Sequence, residues 1–200
     1  MDLNKIIQRA RSVLVSPKTQ WPIIAAEPAT TADLYRDYIA VLAAIPPICH
    51  FIKVSILGYA WHGFQVYRLG VGAGLTAALV EYGAALLAVY VLAIIIESLA
   101  PNFAGQPDRI QALKLAGYSY TASWVAGFAY ILPGLYALVA LAGAIYSGYL
   151  LYLGIPATMK VTPERAAGYT AVTIIIAIVL GWVIALIAGG ITGVSLMDTW

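Results

Sequence analysis

The sequence predicts an all-α polytopic membrane protein with five transmembrane helices and an N-terminal amphipathic helix at the membrane surface. Three observations predict it. The chain is 62% hydrophobic and only 10% charged, whereas soluble domains carry about 25% charged residues. The few charges bracket apolar windows as long as the roughly 20 residues a crossing requires. Basic residues, finally, gather in alternate inter-window segments, as they do when one side of a membrane retains them. Two hundred residues make a single domain over 1–200.

Residues 1–37 form the interfacial segment. Leu3, Ile6, Ile7, Ala10, Val13 and Leu14 recur at helical spacing, with Lys5, Arg9 and Arg11 between them. A cationic polar face opposite an apolar one is the pattern of a helix lying on anionic lipid; packing on the protein itself is the other reading. The scattered charges exclude a cleavable signal, which needs an unbroken apolar core. Thr30 and Asp33 mark a helix start ahead of the first span.

The first span is expected at about 38–58, with Lys53 as its only charge, and the second at about 71–96, with Glu81 as its only charge. Leu115 to Met159 is uncharged for 45 residues. That is too long for one crossing, and Pro133-Gly134 divides it into spans at about 114–132 and 135–157. Thr162-Pro163-Glu164 supplies a cap, a first-turn proline and an acid at the positive helix end, and opens the last span at about 164–190.

Five spans place the termini on opposite sides. Lys5, Arg9, Arg11, Lys18, Arg36, Arg109, Lys114, Lys160 and Arg165 fall on one side, and only Lys53 and Arg68 on the other. Nine against two sets the N-terminus in the cytoplasm and the C-terminus in the periplasm of a multi-pass inner-membrane protein.

Three stretches carry a family resemblance: SPKTQWPIIAAEPAT before the first span, ALKLAGYSYTASW entering the third, and LYLGIPATMKVTPERAAGYT between the fourth and fifth. With the five-span plan they resemble the bacterial branch of the Yip (Ypt-interacting-protein) family. The resemblance covers most of the chain and implies a bacterial five-span membrane fold. Eukaryotic members are associated with Rab-type GTPases and carry an Asp-Leu-Tyr-Gly-Pro element. Here Asp33-Leu34-Tyr35 runs into Arg36-Asp37, so GTPase binding is not carried over with the fold.

The chemistry is sparse. A net charge of +2 and the lack of a basic tract exclude strong nucleic-acid binding. Two histidines, His50 and His62, and one cysteine, Cys49, cannot furnish a catalytic zinc site, and no nucleophile elbow or phosphate loop is present. No cofactor or metal is expected, and an enzyme is not.

The residues that stand out lie inside the membrane. Glu81 is about 15 Å from the outer boundary, His50 about 12 Å and Lys53 about 7 Å at the helical rise, so the three can meet between the first two spans. They make either a proton or cation site, since intramembrane carboxylates are functional candidates, or a buried ion pair that fixes helix register. The thin polar lining favours the ion pair. Pro46-Pro47 must free carbonyls near Leu42 and Ala43. Tyr118, Ser119, Tyr120, Thr121 and Ser123 are expected to face that break, as packing partners or as the wall of a vestibule.

Gly70, Gly72 and Gly74 suit close helix approach. Gly143 with Ser147, and Gly189 with Gly193, also allow helix contacts, including those of a homo-oligomer. The aromatics Tyr59, Trp61, Phe64, Tyr67, Trp21, Tyr35 and Tyr38 form interfacial belts. The expected function is non-enzymatic, a membrane-organising or adaptor role through helix packing and the cytoplasmic face. Its partners would be anionic lipid and a membrane protein or second copy. The alternative is a small transporter or channel using Glu81.

Overall fold

The computed structural model describes residues 3–61, 65–132 and 134–192. Helix α1 (Leu3–Val15) and helix α2 (Pro17–Ala26) precede α3, an apolar helical rod over Thr31–Leu57. A short antiparallel hairpin, β1 (Tyr59–Trp61) and β2 (Gln65–Tyr67), leads to α4 (Val71–Leu99). Then come α5 (Arg109–Ser119), α6 (Thr121–Ala126), a 3-10 turn at Gly127–Ile131, α7 (Tyr136–Met159) and α8 (Pro163–Thr192).

Four helices are long and apolar enough to cross a membrane: those over Thr31–Leu57, Val71–Phe103, Tyr136–Met159 and Pro163–Ile191. The third expected span, about 114–132, is not one continuous helix. It is broken into α5, α6 and the 3-10 turn. The cause is local. The Thr121 hydroxyl donates to Tyr118 O at 2.7 Å and competes with the helical ladder where α5 ends. Continuity is not needed there, because every residue from Ala112 to Ser119 is buried by protein on all sides. This segment is the centre of the fold, packed against α4, α7 and the second half of α3. By contrast, α8 packs mainly on α4, α7 and the turn after α4 among the described residues, and its far half exposes Trp182, Leu186 and Ile191.

The rod α3 begins at Thr31, ahead of the expected 38, because Thr30 and Asp33 form a reciprocal capping box. It is interrupted at Ala44. Its helix restarts at Ile45 with Pro46 and Pro47 in the first turn, where a missing backbone N–H leaves no ladder bond unmade. Two π-turns, Tyr35–Ile39 and Ile52–Leu57, flank the break.

Small residues set the helix spacing, as expected where dispersion rather than water drives association. A methyl on Gly143 would stand 2.6 Å from Ala126 Cβ, and one on Gly127 would stand 2.7 Å from Pro46. Gly74 lies so close to Ser55 that a Cβ would overlap its Oγ at 1.9 Å, whereas Gly70 and Gly72 face open space. Gly143 and Ser147 therefore join α6 to α7 within one chain. Gly193, Phe64 and His62 lie outside the described residues.

Candidate functional site

The intramembrane polar site is built where α3, α4 and the 3-10 turn meet. His50 Nδ1 lies 3.0 Å from Glu81 Oε2. The His50 ring stacks on Tyr130 at 4.9 Å between centroids, and Tyr130 stacks on Tyr136 at 3.8 Å. The pair is half-buried, with side-chain exposures of 29% and 34%. Chemically it is a carboxyl and an imidazole in hydrogen-bond contact, with the imidazole face against the Tyr130 ring. It can hold a proton or lock two helices. Lys53 stands one turn on in α3, at intermediate exposure, and is not a member of the hydrogen-bonded pair. Among the described residues there is no group of three or more His, Cys, Asp or Glu side chains placed to hold a metal.

The polar run of the third segment is distributed differently from the expectation. Pro46 rests on Gly127, and Pro47 is buried. Tyr38 and Thr121 share a buried hydroxyl bond of 2.8 Å, and the Tyr118 ring packs on Tyr38 at 4.4 Å. Tyr120 stacks on Trp124. Ser123 bonds Ser147 of α7 at 2.8 Å. Ser119 Oγ is buried without a partner. The run thus binds α3 and α7, not the carbonyls of Leu42 and Ala43. The carbonyl beside the break that gains a side-chain donor is that of Ala40, and the donor is Tyr82 of α4, at 3.1 Å.

Sequence reasoning missed a second constellation, at the end of the fold that carries α1 and α2. Trp21 is 1% exposed and fills the space over Gly154, where a Cβ would meet its ring at 2.7 Å. Lys114 is 2% exposed, and its ammonium donates to Ile24 O and Glu27 O at the C-terminal end of α2. Gln111 Nε2 donates to Ala25 O at 2.9 Å. Arg9 of α1 pairs with the Glu27 carboxylate. A cation at the negative end of a helix, satisfying its last carbonyls, is a favourable placement. The only advance signal was Lys114 itself, a charge at the lip of a long apolar run. Tyrosines add further ties: Tyr35 Oη donates to Leu86 O, Tyr146 Oη to Leu14 O, and Tyr169 Oη to Ile96 O.

The amphipathic stripe of α1 divides. Ile6, Ala10 and Val13 face the protein and are buried, while Leu3 and Ile7 remain exposed at 55% and 63%.

Long apolar helices, small residues at close helix contacts and a polar pair between two of those helices define a multi-pass helical membrane protein. The Yip1 domain model matches residues 11–185, and the chain belongs to the Yip1 domain family. It is 30% identical to the inner membrane protein YohC of Escherichia coli K12 over 166 residues, covering 82% of this chain and 85% of that protein. YohC of Escherichia coli O6:H1 matches to the same extent. No solved structure matches the chain.

Proposed function

We propose that the protein is a non-enzymatic membrane-organising or adaptor protein of the inner membrane, acting through a platform on its cytoplasmic face. The observation that carries this reading is the docking of α1 and α2 onto the membrane helices through Trp21, Lys114, Gln111 and Arg9. A segment meant only to anchor the chain has no need of a buried lysine and a glycine socket. A rigid display surface does.

In this proposal the chain is one domain that crosses the membrane five times, the third time as α5, α6 and the 3-10 turn. The nine-to-two division of basic residues supports a cytoplasmic N-terminus and a periplasmic C-terminus. The exposed Leu3 and Ile7, with Lys5 and Arg11 nearby, support contact between α1 and anionic lipid. The inner-membrane names of the relatives support the location.

The half-buried His50–Glu81 pair favours a second reading, a small proton- or cation-coupled transporter. Crosslinking in native membranes, followed by identification of partners, separates the two. The adaptor reading expects a recurrent protein partner that is lost when Lys114 is replaced. Proton or cation flux in liposomes without any such partner would overturn it. A compartment reporter fused after Trp200 checks the crossing number, and a cytoplasmic signal there would remove the five-span arrangement.

A further inference from the structure

A polar cleft of about 390 Å³ lies between α1, the link after α2 and the first two turns of α3, above Tyr118 of α5. Its floor is protein core, since Ile6, Leu34 and the Tyr118 ring are all buried. Its charges are sorted by wall. Lys5 and Arg9 come from α1, whereas Asp33 and Asp37 come from α3, with Glu27 beside Arg9. Arg9 pairs with Glu27, and Arg36, outside the cleft, pairs with both aspartates. Two donors are left over. Lys5 has no hydrogen-bond or ion-pair partner among the described residues, and neither has the Tyr118 hydroxyl. That phenol oxygen is accessible, in contrast to the orphaned Ser119 Oγ, which is sealed. We infer that this cleft binds the phosphoethanolamine headgroup of a phospholipid in the cytoplasmic leaflet. Lys5 and the Tyr118 hydroxyl take its phosphate, and the Asp33 and Asp37 carboxylates take its ammonium.

Charge and donor chemistry select this headgroup. A simple anion would meet three carboxylates in the same small space, and a simple cation would meet Lys5 and Arg9. Like charges so placed repel. A zwitterion meets the opposite sign on each wall. Its primary ammonium offers three N–H donors, which carboxylates accept. A quaternary ammonium offers none and is recognised by cages of aromatic faces. Here the Tyr118 ring is packed on Tyr38 instead.

Position selects the lipid over a dissolved molecule with the same head. This step rests on the proposed seat of α1 on the membrane. At 3.6 residues per turn, Lys5 and Arg9 stand about 160° around α1 from the exposed Leu3 and Ile7. With Leu3 and Ile7 in the acyl layer, the helix radius of about 5 Å carries the cleft wall into the headgroup layer, itself about 5–8 Å thick. A phosphoethanolamine head reaches the cleft there without leaving its bilayer.

The test uses the full-length protein in liposomes of phosphatidylethanolamine, phosphatidylcholine and phosphatidylglycerol in equal parts. It is extracted in mild detergent, and retained lipid is counted by native mass spectrometry. Phosphatidylethanolamine should be retained about tenfold over phosphatidylcholine, which lacks the N–H donors. Lys5→Ala should lower that retention about tenfold and Tyr118→Phe roughly fivefold. Both remove groups without a partner in the fold, so the melting temperature should hold. Equal retention of the three lipids, meaning annular lipid only, would overturn the inference. So would a preference for phosphatidylglycerol, meaning an anion site, or a phosphatidylethanolamine preference that survives Lys5→Ala. A preference that survives only Tyr118→Phe would overturn the part given to that hydroxyl. Soluble glycerophosphoethanolamine that competes at the same concentration as the lipid would overturn the lipid source. The seat of α1 is read separately in the same liposomes, from the shielding of Ile7→Cys against an aqueous thiol reagent, the native Cys49 being buried. Shielding without headgroup selectivity removes this inference alone. Selectivity without shielding removes the seat of α1, and with it the lipid source.

Discussion

Trp21 sits in a socket whose floor is Gly154: a methyl at residue 154 would stand 2.7 Å from two atoms of the indole and 2.5 Å from Leu115 Cδ1. Neither neighbour can retreat, since both Trp21 and Leu115 are buried. Gly154→Val is therefore an overpacking substitution, expected to cost about 1–3 kcal/mol. Its signature is specific: α2 should be lifted from α7. Limited trypsinolysis at Lys18 should accelerate in the variant while the membrane core resists. Unchanged cleavage with an unchanged melting temperature would mean that Trp21 is not held by Gly154.

Lys114 is a buried cation whose hydrogen-bond partners are carbonyls, Ile24 O and Glu27 O. Lys114→Met keeps the aliphatic stem and removes the donors, leaving the end of α2 with unpaired carbonyls. Each buried group left unsatisfied costs about 1–3 kcal/mol. The variant should melt well below the wild type in mild detergent, and residues 1–26 should gain amide exchange. Retained protection of α2 would show that water replaces the ammonium without loss.

The division of the α1 stripe makes adjacent residues distinguishable. Ile6 is 5% exposed against the protein, and Ile7 is 63% exposed. Ile6→Asp buries an unpaired carboxyl and should lower the melting temperature in detergent. Ile7→Asp should leave that temperature alone, because surface changes usually stay within about 0.5 kcal/mol. It should instead reduce shielding of α1 from aqueous reagents in anionic liposomes, by placing charge on the lipid-facing side. Equal thermal effects of the two variants would contradict the observed orientation of α1.

Much of the fold was legible because lipid imposes a coarse rule: long uncharged windows, breaks at charges and at Pro-Gly, bases on one side. The four long helices follow from it. The rule fails for 114–132, since the part through Ser119 is enclosed by protein and need not run on as a continuous helix, and the Thr121 hydroxyl takes a carbonyl the ladder would use. Glu81 was legible as a lone charge in an apolar helix. Its partner was not, because depth arithmetic admits both His50 and Lys53. What decides is the rotation of α3, and that depends on the restart at Ile45 and the π-turn at Ile52–Leu57. The α2 socket left no sequence periodicity at all. It depends on one glycine, one tryptophan and one lysine brought together from distant positions.

The His50–Glu81 contact gives the last prediction its form. A carboxyl at this depth must be neutral, paired or wetted, and here it is 3.0 Å from an imidazole nitrogen. If the pair is a lock between α3 and α4, Glu81→Leu strands His50 and should destabilise the protein. Breaking one side of a buried pair typically costs about 3–5 kcal/mol, less where the pair is half-exposed as here. Glu81→Leu with His50→Leu removes both polar groups and should recover most of the lost stability. If the pair relays protons, Glu81→Gln keeps the shape and the hydrogen bond, folds normally and abolishes pH-driven flux in liposomes. Thermal melting of the two leucine variants in mild detergent, beside flux for Glu81→Gln, decides between them. Recovery in the double variant with no flux in the wild type identifies a lock. A double variant no more stable than Glu81→Leu, with wild-type flux that Glu81→Gln eliminates, identifies a relay. The expected result is the lock: the His50 ring is held on Tyr130, itself stacked on Tyr136, and the described residues around the pair supply no further chain of carboxyl or imidazole groups that could pass a proton on.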